Sequence, residues 1–176
     1  ELPTPDGRPF YVFLKLASKP EWVMGAANYL LWCGDQAEFD RLWPRIRLTL
    51  QSFRAENDWD RDWLDDNAMW PFPEQPNVVT YNHELLYAST YWFAGFDAAS
   101  RAARLFARDA EAADLEWQRD QIKAAINSVF ATDYGYASWL DRSHAKHPHK
   151  GHNQVFTVQY GIASPEQAEK VFGNQL

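Results

Sequence analysis

The chain has 176 residues, of which 46% are hydrophobic and 23% charged, and it carries a formal net charge of −7. That length holds one domain with its own core. The acidic balance argues against nucleic acid as a partner, because phosphate binding needs a basic face. No apolar run approaches the ~20 residues of a membrane span, and the N-terminus lacks the charged and apolar regions of a signal peptide, so the expectation is a soluble protein of the cytoplasm or periplasm.

Glu1 to Pro20 reads as irregular, with Pro3, Pro5, Gly7, Pro9 and Pro20. Within it Phe10 to Leu16 is an apolar run, either a helical turn or a buried segment. From Pro20 the pattern becomes helical: Trp22, Ala26, Tyr29, Leu30 and Cys33 recur at spacings of three and four. Pro20 stands at a first-turn position and Gly34 at a helix end. The single Cys33 has no internal partner for a disulfide and reads as packed rather than nucleophilic. Asp35 is placed as the N-cap of a second helix, with Phe39, Leu42, Trp43, Ile46, Leu50 and Phe53 on one face. Pro44 falls inside it and predicts a kink, or a break after Trp43.

Glu56 to Asn77 reads as a long connection interrupted by Pro71, Pro73 and Pro76, a length at which loops are often functional. It opens on the segment ENDWDRDWLDD, Glu56 to Asp66, which mixes carboxylates with Trp. An acid run alone is normally a solvated face, and Trp has no ordinary place on one. Both residue types are wanted together in a carbohydrate site. There carboxyl groups do acid–base work and indole faces stack on sugar rings. Several of these acids are equally suited to be caps or solvated loop residues.

A further helical block is expected from near Val79 through Leu85, Leu86, Ser89, Trp92 and Phe93, with Gly95 bending or ending it. Thr80 would cap it, and His83 and Glu84 would lie in its first turn. Ala98 to Phe106 has small residues suited to close helix packing. Leu115, Ile122, Ile126 and Phe130 mark the next helix. Asp133 to Tyr136 is a turn. HAKHPHKGH, His144 to His152, gathers four His in a Pro- and Gly-containing loop. No HExxH and no Cys pair accompanies them, and no EF-hand spacing accompanies the acids, so no metal and no cofactor are expected. Gln154 to Tyr160 is compatible with a helix, and Ser164-Pro165-Glu166 starts another that runs to Phe172. The sum is an all-α chain of about six or seven helices without a convincing strand.

YLLWCGDQAEFDRLWPRIRLTLQSF (Tyr29 to Phe53) resembles a hairpin of the six-hairpin, (α/α)6-barrel glycosidases. AASRAARLFARDAEAADLEWQRDQIKAAINSVFATDYGYA (Ala98 to Ala137) looks like a later hairpin, and NQVFTVQYGIASPEQAEKV (Asn153 to Val171) like the segment after it. RDWLDD (Arg61 to Asp66) resembles an Asp-Trp loop of bacterial alpha-L-rhamnosidases, and trehalase-like and glucosidase-like relatives place Asp-bearing catalytic loops comparably. The resemblance implies helical hairpins forming part of an (α/α)6 toroid. It makes residues 1–176 a single, partial catalytic domain, with the remaining half of the barrel as partner. Some of Trp22, Tyr29, Tyr87 and Tyr91 would be left on uncovered faces.

The implied activity is hydrolysis of a glycosidic bond in an oligosaccharide or glycoside, with inversion, by paired carboxylates. A carbohydrate is the expected partner. Asp62, Asp60 and Glu56 are the catalytic candidates, Asp62 carried over as the site-lining acid, with Asp58 beside them. Trp59, Trp63, Trp70, Asn82, His83, Glu84, His152 and Gln154 are the candidates for substrate binding, with Glu84 as second carboxylate. Two other readings stay open: a non-catalytic helical scaffold or binding domain, and a sugar isomerase or epimerase on the same barrel with His83 as an acid–base group.

Overall fold

The computed structural model describes residues 18–66, 84–140, 143–147 and 153–173. Helix α1 spans Ser18–Cys33 and stops where Gly34 turns left-handed at φ 63°. The Gly34 N–H donates to the Leu30 carbonyl at 3.0 Å, so the helix end is satisfied within one turn. Asp35 then caps α2, Gln36–Ser52, its carboxylate accepting from the N–H groups of Ala37 at 2.7 Å and Glu38 at 3.2 Å.

Pro44 neither ends nor divides α2. It removes one backbone donor on the exposed side, while Phe39, Leu42 and Trp43 before it and Ile46 and Leu50 after it are buried on the other. Burying a large apolar side chain is worth ~1.5–3 kcal/mol, so a buried stripe on both sides of the proline outweighs the ~3 kcal/mol it costs a helix interior. A wider, π-helical turn, Phe53–Asn57, extends α2 into the acidic segment.

Helix α3 covers Leu86–Leu105. Gly95 lies in its middle and does not end it; the residue serves packing. A β-carbon there would stand 3.3 Å from the Pro20 carbonyl oxygen, so glycine lets α1 and α3 cross closely. Glu84 and Leu85 precede the helix rather than filling its first turn. Helix α4, Asp109–Val129, packs back along α3.

Two short antiparallel ladders follow that helical periodicity had hidden. Strands β1 (Ala131–Thr132) and β2 (Gly135–Tyr136) pair first. Strands β3 (Trp139–Leu140) and β4 (Lys146–His147) pair next. Two residues per strand are too few to show a period. Helices α5, Asn153–Gln159, and α6, Pro165–Gly173, complete the order, and the Ser164 hydroxyl accepts from the Gln167 N–H at 3.2 Å as an N-cap does.

The helices form three consecutive hairpins, α1/α2, α3/α4 and α5/α6, with α3 packed against both α1 and α5. The fold is all-α, helical hairpins forming part of an (α/α)6 toroid. Its core is aromatic where α2, α3 and α4 meet: Phe39 stacks on Trp43 at 4.8 Å and on Phe106 at 4.3 Å, and Phe53 leans on Trp92 at 4.9 Å. Trp22, Tyr29 and Trp32 stay exposed along α1. Tyr87 and Tyr91 are half-buried, because Phe156 of α5 meets both rings and Tyr160 meets Tyr91. No described helix is long and apolar enough to cross a membrane.

Candidate active site

The acidic segment leaves the π-helical turn and doubles back on itself. Asp60 accepts from the Asp62 N–H at 3.2 Å and Asp62 from the Leu64 N–H at 2.8 Å, two side-chain-closed turns in succession. Arg61 and Trp63 carry positive φ, 68° and 75°. For a bulky aromatic residue that is a strained backbone, which persists only where its surroundings hold it.

Those surroundings are a buried polar network. Asp65, wholly buried, accepts from the Trp92 indole N–H at 2.6 Å and from the Asn57 amide at 3.2 Å. Its own N–H donates to the Ser89 hydroxyl at 3.1 Å. Asp66 accepts from the Trp59 N–H at 2.6 Å, and its N–H donates to the Asn57 carbonyl at 2.6 Å. The loop is thus clamped to α3 at one end and to the π-helical turn at the other. Asp65 and Asp66, not picked out as site residues from sequence, do the clamping.

Around this clamp the carboxylates converge. Oxygens of Asp58, Asp60 and Asp62 lie within 4.8 Å of one another, and so do those of Asp60, Asp66 and Glu84. Asp58 is buried and contacts Arg54; burial pushes its carboxyl upward against the pull of that guanidinium. The Asp62 carboxyl is raised to about 6, first by burial and then by Asp60, Asp66 and Asp58, against the Leu64 N–H that favours its charged form. Glu84 is 1% exposed, and neither of its oxygens has a hydrogen-bond partner among the described residues. Burial, followed by the charges of Asp62, Asp66 and Asp60, lifts it to about 8. A carboxyl group so placed keeps its proton at neutral pH.

The remaining candidates divide. Glu56 does not join the cluster: it reaches Lys19 at 2.6 Å and is 60% exposed. Trp63 packs its face under the Arg54 guanidinium, 3.9 Å from the ring centroid, and meets the Trp117 ring at 5.3 Å. Among the described candidate indoles, Trp59 stands exposed, and its N–H donates to the Glu56 carbonyl at 2.8 Å. Gln154 is a structural residue, buried, with its side-chain oxygen accepting from the Tyr136 N–H at 3.3 Å. Trp70, Asn82, His83 and His152 lie outside the described residues.

Sequence reasoning passed over His144. Its Nδ1 lies 3.6 Å from Glu84 Oε1, brought there by the β3–β4 ladder. A cavity of about 280 Å³ between α1, α3 and α5 is lined by Met24, Asn28, Phe93, Asp97, Arg101 and Tyr160 among others, and none of the acidic loop reaches it.

The family model described as the bacterial alpha-L-rhamnosidase 6 hairpin glycosidase domain matches residues 8–176. Among solved structures, a GH78 family rhamnosidase of Bacillus sp. GL1 superposes with a TM-score of 0.73 and 17% identity, over 88% of this chain and 16% of that enzyme. The alpha-L-rhamnosidase from Dictyoglumus thermophilum superposes with a TM-score of 0.58 and 14% identity, over 89% of this chain and 17% of the other. At those identities the likeness is one of fold, and the chain spans less than a fifth of the length of either enzyme. No curated protein matches the chain at a significant level.

Proposed function

Because the chain belongs to the bacterial alpha-L-rhamnosidase six-hairpin glycosidase family, we propose that it forms part of the catalytic domain of a glycoside hydrolase and supplies the acid side of its centre. The bond cleaved is that of an L-rhamnosyl group to its aglycone, a substrate class supported by the names of the family and of both matched rhamnosidases.

One observation carries this reading. Asp62, partly accessible at the lip of a strained and clamped loop, has its carboxyl raised to about 6 by burial and neighbouring acids. Glycoside hydrolysis needs a group that still holds a proton near neutrality and can hand it to the leaving oxygen. Asp62 is that general acid. Glu84 is too enclosed to touch a sugar. Neutral at physiological pH, it lies behind the loop and spares Asp60 and Asp66 one more negative neighbour. Exposed Trp59 offers an indole face to the sugar ring.

The second carboxylate comes from elsewhere in the barrel. An inverting pair stands ~6.5–9.5 Å apart to admit a water between its members. Asp58 and Asp60 each have an oxygen within 4.8 Å of one of Asp62, which leaves no such room, and Glu84 is closed off from a sugar. Residues 1–176 are in this reading one partial catalytic domain, and the remaining hairpins supply the base. The test is proton NMR of the first sugar released from an aryl α-L-rhamnoside by a chain that carries this segment with the rest of its barrel. Release of β-L-rhamnose supports inversion. An α product refutes inversion, and no release refutes the activity.

A further inference from the structure

We propose that His144 is a positioning residue for Glu84: its imidazole Nδ1 receives and returns the proton of a carboxyl group that is otherwise sealed from water. The proposal rests on the reading of the acidic cluster as an acid centre and adds a proton route to it.

Glu84 has a problem that its own neighbours cannot solve. Its carboxyl lies among Asp60 and Asp66, with oxygens of all three within 4.8 Å, and the charge of Asp62 acts on it as well. Both of its oxygens are buried without a hydrogen bond among the described residues. An unpaired buried charge is costly, so the group holds a proton. A proton on a group 1% exposed needs a way in and out.

His144 supplies it. Its Nδ1 is 3.6 Å from Glu84 Oε1, and its side chain is 63% exposed, so the imidazole touches the buried carboxyl at one end and solvent at the other. That distance exceeds a direct hydrogen bond and suits transfer after a small side-chain rotation or across one water. Transfer breaks the Glu84 O–H bond and forms an N–H bond at Nδ1. The pair passes from two neutral groups to carboxylate and imidazolium, and the imidazolium exchanges its other proton at Nε2 with water.

The approach is built into the fold. The Leu140 N–H donates to the Glu84 carbonyl at 3.0 Å, and Leu85 bridges to Trp139. Strand β3 is thereby pinned to the backbone that bears Glu84, and β4 is pinned to β3 by pairing Trp139 with His147 and Leu140 with Lys146. The Trp139 and His147 rings stack at 3.9 Å with 7° between their planes, which stiffens the hairpin. His144 stands in the connection between the strands at φ 58°, a left-handed position that turns the chain there. Among the described residues, the groups facing Glu84 are Asp60, Asp62 and Asp66 from the acidic loop and His144 from the β3–β4 connection.

The experiment is carbon-13 NMR of the chain labelled at glutamate carboxyl carbons, with Glu84 assigned by the signal missing in Glu84→Gln. Its pH titration is compared in wild type, His144→Gln and His144→Lys; the exposure of His144 keeps both variants folded. In wild type, the Glu84 curve is broader than a single-site titration, because its proton passes to Nδ1. His144→Gln gives a single inflection at higher pH than wild type. His144→Lys, a fixed cation, moves it down by about one unit or more. One unchanged, elevated Glu84 curve in all three overturns the role of His144 and leaves the acid centre standing. An ordinary carboxylate midpoint in all three overturns both.

Discussion

Replacing Glu84 by Gln should abolish a specific pH dependence of stability. Glu84 is lifted from 4.5 to about 8 in the folded chain. Between those values the folded state binds a proton that the unfolded state has released, so stability falls as pH rises through the window. At ~1.4 kcal/mol per pH unit, the full shift corresponds to a ceiling of ~5 kcal/mol. Water entry and rearrangement around the new charge reduce the expected loss to ~2–3 kcal/mol. Gln has the shape of the carboxyl and never ionises. The variant should therefore match wild type at pH 5 and exceed it by ~2 kcal/mol at pH 9. The assay is urea unfolding followed by tryptophan fluorescence at a series of pH values. Other titrating groups are present in both proteins and largely cancel in the difference. Parallel stability curves from pH 5 to 9 would show that Glu84 is not a buried, proton-holding acid, and the electrostatic account of the cluster would fall with it.

Trp92→Phe keeps the packing on Phe53 and Phe96 but strips Asp65 of the indole donor at 2.6 Å; it should cost ~1–3 kcal/mol in urea unfolding, and an unaltered midpoint would mean that the clamp is not stabilising. Gly135→Ala should cost ~2 kcal/mol or more: the residue sits at φ 117°, and a β-carbon there would lie 2.7 Å from the Gln154 side-chain oxygen and 3.1 Å from Val171, so a variant as stable as wild type would contradict the placement of β2 against α5 and α6. Chelation by EDTA should leave the melting temperature within about 2 °C, because protons and Arg54 relieve the acidic cluster here; a large drop restored by calcium or zinc would contradict this.

Much of the helical frame was legible because its signals are local. Gly34 and Asp35 end one helix and cap the next within two residues, and Ser164 caps the last by contacts three residues long. What escaped is carried by distant pairs. Pro44 reads as a breaker until the buried stripe on both sides of it is seen. Gly95 reads as a helix end until Pro20 is found against it. The acidic loop reads in the sequence as a place where carboxylates and indoles meet, yet the contacts within it were not legible. Asp65 is fixed by Trp92, 27 residues away, and Glu84 meets His144, 60 positions on, through a ladder too short to announce itself. Trp63 looked like a sugar platform because nothing in the sequence shows Arg54 lying across its face.

The central claim is that Asp62 is the proton donor to the leaving group, and its most direct test is the leaving-group dependence of Asp62→Asn in a chain carrying this segment with the rest of its barrel. Rates are measured on a methyl α-L-rhamnoside, whose aglycone departs only when protonated, and on a dinitrophenyl α-L-rhamnoside, whose aglycone departs unaided. The account predicts a loss of about 10²-fold or more on the first and little loss on the second, with wild-type activity on the methyl glycoside fading as pH rises past about 6. Equal losses on both substrates, or none on either, would contradict it.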